Sequence, residues 1–181
     1  MSGKKLLVIS DSHGHISVLA KIFKWAKNQM PPDGTICGCA FLGDGFIDLQ
    51  EASEMSGFYS DWKLVRGNND YDINLPDAAV FDFSDHRFFI CHGNKHSIYG
   101  GHYMLLAAAK TNNADGILFG HSHVPFCKNT DGILIVNPGS VGQPRSRIGA
   151  TFAVIECAEG EPLKAEFFGI SRQGSINKIK V

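Results

Sequence analysis

The stretch Leu118-Phe119-Gly120-His121-Ser122-His123 ends an apolar run at a glycine and delivers two histidines two residues apart. A neutral imidazole is a poor packing group for the mouth of a strand and a good metal ligand, because one ring nitrogen offers a lone pair. The same arrangement recurs along the chain. Lys5 to Ser10 runs into Asp11 and His13, and Thr35 to Leu42 runs into Gly43-Asp44. Trp62 to Arg66 runs into Gly67-Asn68, and Arg87 to Cys91 runs into His92-Gly93. Each block alone has an ordinary reading: a polar loop with two histidines, Asp44 in a turn, Asn68 in a left-handed position. Jointly they are two carboxylates, four imidazoles and one amide, each at a strand end. Carboxyl ends of strands line the ligand crevice of open α/β sheets. Gathered there without a metal these groups would make a costly interior, since buried carboxylates and unpaired polar groups cost several kcal/mol or shift their pKa values. The set is too large for one tetrahedral ion. It suits two divalent ions about 3.5–4 Å apart that share one carboxylate.

The elements that must position these residues can be read from periodicity. Ile16, Leu19, Ala20, Phe23 and Ala26 repeat at helical spacing after the first strand, and Pro31-Pro32 ends that segment. A weaker amphipathic stretch runs from Phe46 to Met55 between the second and third strands. Strand, helix, strand, helix, strand is the pattern of right-handed βαβ units on a parallel sheet. After Pro76 the pattern changes. Ala79 to Phe83 and Arg87 to Cys91 flank Ser84-Asp85-His86 and predict a hairpin. A helix is predicted from Gly101 to Lys110, with Tyr103, Leu106 and Ala107 on one face and Asn112-Asn113 closing it. Then come short β runs: Phe126-Cys127-Lys128, a turn at Asn129 to Gly132, Ile133 to Val136, Ala150 to Cys157, and Leu163 to Phe168. The polar tail from Ser171 receives no element. The expectation is one domain over residues 1–181, of α/β (α+β) class, with two packed sheets and helices on the outer faces.

Composition narrows the function. A net charge of −1 and the lack of a long basic run give no footprint for general nucleic-acid or membrane binding. The apolar run after Lys4-Lys5 is too short for a signal-peptide core or a transmembrane helix. Cysteines 37, 39, 91, 127 and 157 are odd in number and mostly lie in or beside apolar runs, as reduced small hydrophobes of a cytoplasmic protein do. Cys37-Gly38-Cys39 has no second cysteine pair to complete a soft-metal site.

In order and spacing, Asp11-x-His13, Gly43-Asp44, Gly67-Asn68, His92-Gly93 and Gly120-His121-x-His123 resemble the five blocks of the calcineurin-like metallophosphoesterases, over about two-thirds of the chain. The small size and the Asn137-Pro138-Gly139-Ser140-Val141 segment with Pro144-Arg145 resemble its compact YfcE-like phosphodiesterase branch. The resemblance implies a two-sheet sandwich flanked by helices. It implies a first metal on Asp11, His13, Asp44 and His123, and a second on Asp44, Asn68, His92 and His121, with Asp44 bridging. Manganese is the first expectation, and mixed carboxylate and imidazole sites also accept iron, nickel or zinc.

The position after the ligand asparagine, where many members carry a histidine that contacts substrate and protonates the leaving group, is Asn69 here. A neutral amide can hydrogen-bond a phosphoryl oxygen but cannot act as a general acid near neutral pH. Asp70 matches the acidic residue that supports this catalytic loop. Two ions bring four positive charges and the carboxylates of Asp11 and Asp44 return two. A bridging hydroxide, available near neutrality because metal acidifies bound water, returns a third. Its expected reaction is in-line attack on phosphorus, with the ions and Arg145 neutralising the equatorial oxygens. A singly charged diester brings this balance to zero and a dianionic monoester overshoots it, which favours a phosphodiester.

Other residues have two readings. His15 either reaches the cleft or is exposed or caps the helix. His96 and His102 flank a glycine-rich loop, either near substrate or away from it. His86 reads as a solvated turn residue. Arg145 and Arg147 lie in a Gly/Pro-rich loop, where Arg145 either binds phosphate or joins an ordinary surface ion pair with an acidic group. Phe81, Phe83, Phe88 and Phe89 read as sheet core, since no basic groove accompanies them. The expected partner is a small phosphoester substrate, with homo-oligomerisation open. The rival functions are a non-catalytic scaffold like the retromer subunit of this fold, in which ligands are lost, and a phosphomonoesterase or phosphoprotein phosphatase, which a histidine at position 69 would favour.

Overall fold

The computed structural model describes residues 3–29, 36–72, 74–171 and 173–181. Its frame is two sheets stacked face to face. The first strand, β1 (Lys4–Ile9), is central in a six-stranded sheet, parallel to β2 (Ile36–Phe41), which is parallel to β3 (Trp62–Leu64). On its other side β1 pairs antiparallel with β9 (Ala150–Cys157), which pairs with β10 (Lys164–Ile170) and that with β11 (Ile176–Ile179). The second sheet has the order β4-β5-β6-β8-β7. In it β4 (Ala78–Phe83) and β5 (His86–Cys91) form the hairpin, β6 (Gly116–Phe119) lies parallel to both β5 and β8 (Ile133–Asn137), and β7 (Phe126–Thr130) forms an edge.

Side-chain alternation decides which face each strand residue serves. Leu6, Val8, Ala40 and Leu42 of the first sheet meet Phe88, Ile90, Leu118 and Val136 of the second, and these form the core between the sheets. Leu7, Ile9, Cys39 and Phe41 point the other way, under α1 (Ile16–Lys27) and α2 (Phe46–Ser56). The second sheet's outer face, with Cys91, Ile117 and Phe119, is covered by α3 (Tyr103–Thr111). The expected two-sheet sandwich flanked by helices is the fold observed. The ladder of β1 and β2 slips between Lys5/Ile36 and Leu6/Gly38, so Cys37 bulges out. It is exposed, as is Cys127, which corrects the reading of such cysteines as packing groups. Cys39, Cys91 and Cys157 are buried.

Several sequence expectations change. The tail contains β11, an edge strand with only two apolar residues, Ile176 and Ile179, around Asn177-Lys178; its hydrogen bonds to β10 hold it where pattern alone was silent. The buried residues of α3 are Leu105 and Ala109, while Tyr103 and Ala107 face outward. Nearly every residue from 103 to 109 is apolar, so no polar face in the sequence fixed the rotation of this helix. His86 begins β5 instead of standing in solvent, and its ring lies near Asp85 and Asp115. Strand β7 continues through Asn129 and Thr130, leaving Asp131-Gly132 as a turn with positive φ. The Pro31-Pro32 stop and Thr35, the expected start of β2, lie outside the described residues. Among the described residues no helix is long and apolar enough to cross a membrane.

Candidate metal centre

Strands β1, β2 and β3 run in one direction, as do β5, β6 and β8, and their carboxyl ends meet at one rim of the sandwich. The loops there are tight. Asp11, His13, Asp44, His121 and His123 all hold left-handed backbone, with φ of 55°, 42°, 58°, 66° and 58°. This conformation costs L-residues about 1–2 kcal/mol each and persists where the surroundings over-determine it, typically at functional sites. Two glycines make room for the carboxylates. A Cβ on Gly67 would collide with Asp44 Oδ1, and one on Gly120 would collide with Ser10 Oγ and crowd Asp11 Oδ2.

Asp11, His13, Asp44 and His123 each aim a donor atom into one spot, all within 4.8 Å of one another. Asp11 is fully buried. Its Oδ2 accepts hydrogen bonds from Ser10 Oγ at 2.5 Å and His121 N at 3.1 Å. Its Oδ1 has no hydrogen-bond partner among the described residues; His123 Nε2 stands 3.2 Å away without hydrogen-bond alignment. A buried carboxylate oxygen left bare amid three imidazoles is what a cation ligand looks like when the cation's charge is the missing partner.

Asp44 Oδ2 lies between two histidines, 3.6 Å from His13 Nε2 and 3.5 Å from His92 Nε2. His92 Nε2 in turn lies 3.1 Å from Asn68 Oδ1. A second donor set of Asp44, His92 and Asn68 therefore adjoins the first. His121 sets its ring against His92, centroids 5.1 Å apart, and lines the same cleft. All seven residues expected as ligands thus converge. The orientation of two imidazoles is set from behind. His92 Nδ1 donates to the Leu42 carbonyl and His123 Nδ1 to the Gln143 carbonyl, both at 2.7 Å, which leaves each Nε2 lone pair for the cleft.

The charges are coupled. Burial alone would push the Asp44 carboxyl up, but bonding and charge from His92 and hydrogen bonds from Asn69 hold it well below the usual carboxylate range. Burial pushes the His92 imidazole down; Asp44 and Asp11 outweigh this and leave it above its ordinary value. His123 behaves alike, lowered by burial and raised further by Asp11. His121 ends below its ordinary value through burial and the charge of His92. The carboxylates of Asp11 and Asp44 thus favour positive charge at His92 and His123, the same charge a divalent ion would bring.

Asn69 donates its backbone N–H to Asp44 Oδ1 and its Nδ2 to Asp44 Oδ2, at 2.8 and 2.7 Å. Asp70 spends both oxygens on backbone N–H groups: Oδ1 on Gly45 and Phe46, Oδ2 on Asp44 and Gly67. It caps α2, whose own N-cap residue is Gly45, and ties two ligand loops together. Arg145 stands at the rim of a cleft of about 270 Å³ with His13, Asn68 and His121. Its N–H donates to the His123 carbonyl at 3.0 Å and its Nη1 to Tyr99 Oη at 3.4 Å. His15 occupies the N-cap position of α1, but its ring makes no capping hydrogen bond and instead sets Nδ1 on the Ser12 carbonyl. His96 packs on Phe89, and His102 on Phe119 and Phe126.

Two positioning residues carried no role in the sequence reading. Buried Asn137 donates to the Gly120 carbonyl and Ser122 Oγ, holding the His121–His123 loop. Buried Ser140 donates to the Asp11 carbonyl at 2.7 Å. Polar residues closing the fully buried run of β8 were the available signal.

Against known proteins, residues 5–160 match the family profile of the calcineurin-like phosphoesterase superfamily domain. The chain is 28% identical over 150 residues to the probable metallophosphoesterase YsnB of Bacillus subtilis, covering 83% of this chain and 82% of that protein. It is 22% identical over 167 residues to the phosphodiesterase YfcE of Escherichia coli K12, covering 84% and 87%. Among solved structures, an uncharacterised protein of Streptococcus pneumoniae, described as a predicted phosphoesterase, superposes with a TM-score of 0.74 at 23% identity, covering 99% of this chain and 98% of that one. A Vps29 of Entamoeba histolytica complexed with Zn²⁺ superposes with a TM-score of 0.72 at 18% identity, covering 98% of each chain. The profile spans most of the chain and includes every candidate ligand, so this protein belongs to the calcineurin-like phosphoesterase superfamily.

Proposed function

We infer that this protein is a metal-dependent phosphodiesterase whose cleft holds two divalent ions, one on Asp11, His13, Asp44 and His123, the other on Asp44, Asn68, His92 and His121. The observation that carries this reading is the place of Asp44 Oδ2, about equally far from His13 and His92, where one carboxylate can serve both donor sets. Such ions supply positive charge for the phosphoryl oxygens and acidify a water to furnish the nucleophile. Manganese is the first candidate, and the donor set equally accepts iron, nickel or zinc.

The chain's own residues do the rest. Asp11 and Asp44 would cancel two of the four cationic charges and a hydroxide a third, so that one negative phosphodiester completes neutrality. Arg145 at the cleft rim is placed to pair with a phosphoryl oxygen. Asn69 keeps Asp44 oriented and offers no proton to a departing oxygen near neutral pH. A cytoplasmic setting and a small phosphoester substrate fit this reading.

The test is elemental analysis of purified protein, paired with hydrolysis of aryl and nucleotide phosphodiesters under each metal. Because a Vps29 of the same fold is known with Zn²⁺, metal content alone does not separate enzyme from scaffold; turnover does. Diester hydrolysis that follows metal loading supports the enzyme, and a metal-loaded protein that cleaves no diester supports a scaffold.

A further inference from the structure

A second hollow opens directly off the metal cleft, and beyond His13 and Asp44, which it shares with the cleft, its lining includes none of the candidate ligands. It measures about 460 Å³ and shares His13, Asp44 and Asn69 with the cleft. One wall is the first turn of α2, with Phe46, Ile47, Asp48 and Gln50, and the other is the loop carrying Tyr71 and Asp72. Ile47 is 63% exposed and Tyr71 93% exposed, and neither helps the core. They give the groove an apolar and aromatic rim directly beside the reacting centre. Its charge is one-sided. Neither Lys nor Arg is among the described residues that line it. Asp48 Oδ2 accepts from Ser12 Oγ at 2.6 Å and Gly14 N at 2.7 Å, and Asp72 Oδ1 accepts from Asn74 N at 2.9 Å. The neighbouring cleft, in contrast, has Arg145 on its rim.

A phosphodiester has one charged phosphoryl group and two ester substituents. With the phosphoryl group beside Asp44 and Arg145, a substituent must leave the narrow cleft. The groove that begins at Asn69 is contiguous with it and larger. We propose that the groove between α2 and Tyr71-Asp72 receives one ester substituent and selects a non-anionic group with apolar or ring surface, rejecting one that carries a second phosphate. This rests on the phosphodiesterase reading and extends it to the class of substrate: single-phosphate diesters of neutral or cationic alcohols, as opposed to oligonucleotides or nucleotides with several phosphates.

The test holds the reporter constant. The metal-loaded chain is given nitrophenyl diesters of choline, of thymidine through its 5′ oxygen, and of thymidine bearing an added 3′ phosphate. Methylphosphonate esters of the same three alcohols, which carry no nitrophenyl leaving group, are titrated by calorimetry. The added phosphate should lower kcat/KM and affinity about tenfold, a size set by one like-charge contact in partly wet surroundings. Asp72→Asn should shrink that penalty to about twofold, by the same reasoning. Tyr71→Ala and Ile47→Ser, at exposed positions, should raise KM for the thymidine ester while leaving the methyl nitrophenyl ester unchanged. Equal constants across the series, or an order untouched by all three variants, would overturn the proposal. If no diester is cleaved, the phosphodiesterase reading fails, and the calorimetric order still decides whether the groove selects.

Discussion

Asn69 holds Asp44 by two hydrogen bonds, backbone N–H to Oδ1 at 2.8 Å and side-chain Nδ2 to Oδ2 at 2.7 Å. The residue that replaces the family's frequent histidine therefore orients the carboxylate on which both donor sets depend. Asn69→Ala should weaken metal binding about 10–100-fold, the usual effect of losing a partner that orients a ligand. Competition with a chelator of known affinity reads this directly, and an unchanged constant would mean the backbone N–H suffices.

Asn69 also sets the leaving-group behaviour. Without an acid at that position, diesters releasing a nitrophenolate should turn over far faster than those releasing a sugar alkoxide, by about the 10²–10⁴-fold that a general acid contributes. A series of graded leaving groups measures the slope. A flat series with chemistry rate-limiting would show another proton donor at work. The histidines at 15, 96 and 102 are unpromising, since the His15 ring is turned onto the Ser12 and His13 carbonyls and the other two pack on phenylalanine rings.

Asp70 accepts four backbone N–H groups. Asp70→Ala leaves these donors without their acceptor and removes the cap of α2, a loss of about 2–4 kcal/mol. Denaturant unfolding in chelator should show it without any metal or substrate. A variant as stable as the parent but inactive would instead make Asp70 a participant in the chemistry.

Metal binding should weaken as pH falls. His92 and His123 sit above their ordinary value of 6.5 in the metal-free protein, and both must be neutral to ligate. Their raised values stabilise the metal-free fold below 6.5, a gain lost as pH rises through those values. Both trends have the same sign for the comparison. The difference in melting temperature between metal-bound and chelated protein should widen from acid to mildly alkaline pH. A difference that narrows, or none at any pH, would contradict the ligand assignment of these histidines.

The ligand pattern was legible because each donor follows its own strand, and apolar run plus glycine plus donor is a local signal. Asp11, Asp44 and His92 needed no tertiary knowledge to be singled out. The supporting shell was not legible in that way. Asn137 reaches the Gly120 carbonyl beyond the neighbouring strand β6, and Ser140 reaches the Asp11 carbonyl at the end of β1 in the other sheet, contacts between residues far apart in the chain. The rotation of α3 escaped because its residues are apolar all round, and β11 because an edge strand draws its order from backbone pairing. The groove beside the cleft arises only when the Tyr71-Asp72 loop stands against α2.

The most direct measurement is metal content and diester turnover of the parent and Asp44→Ala, made side by side on the purified, reconstituted chains. The account predicts about two divalent ions per chain in the parent with hydrolysis of bis(nitrophenyl) phosphate, and in the variant the loss of at least one ion together with the activity. A variant that keeps both ions and its turnover, or a fully loaded parent that cleaves no diester, would contradict it.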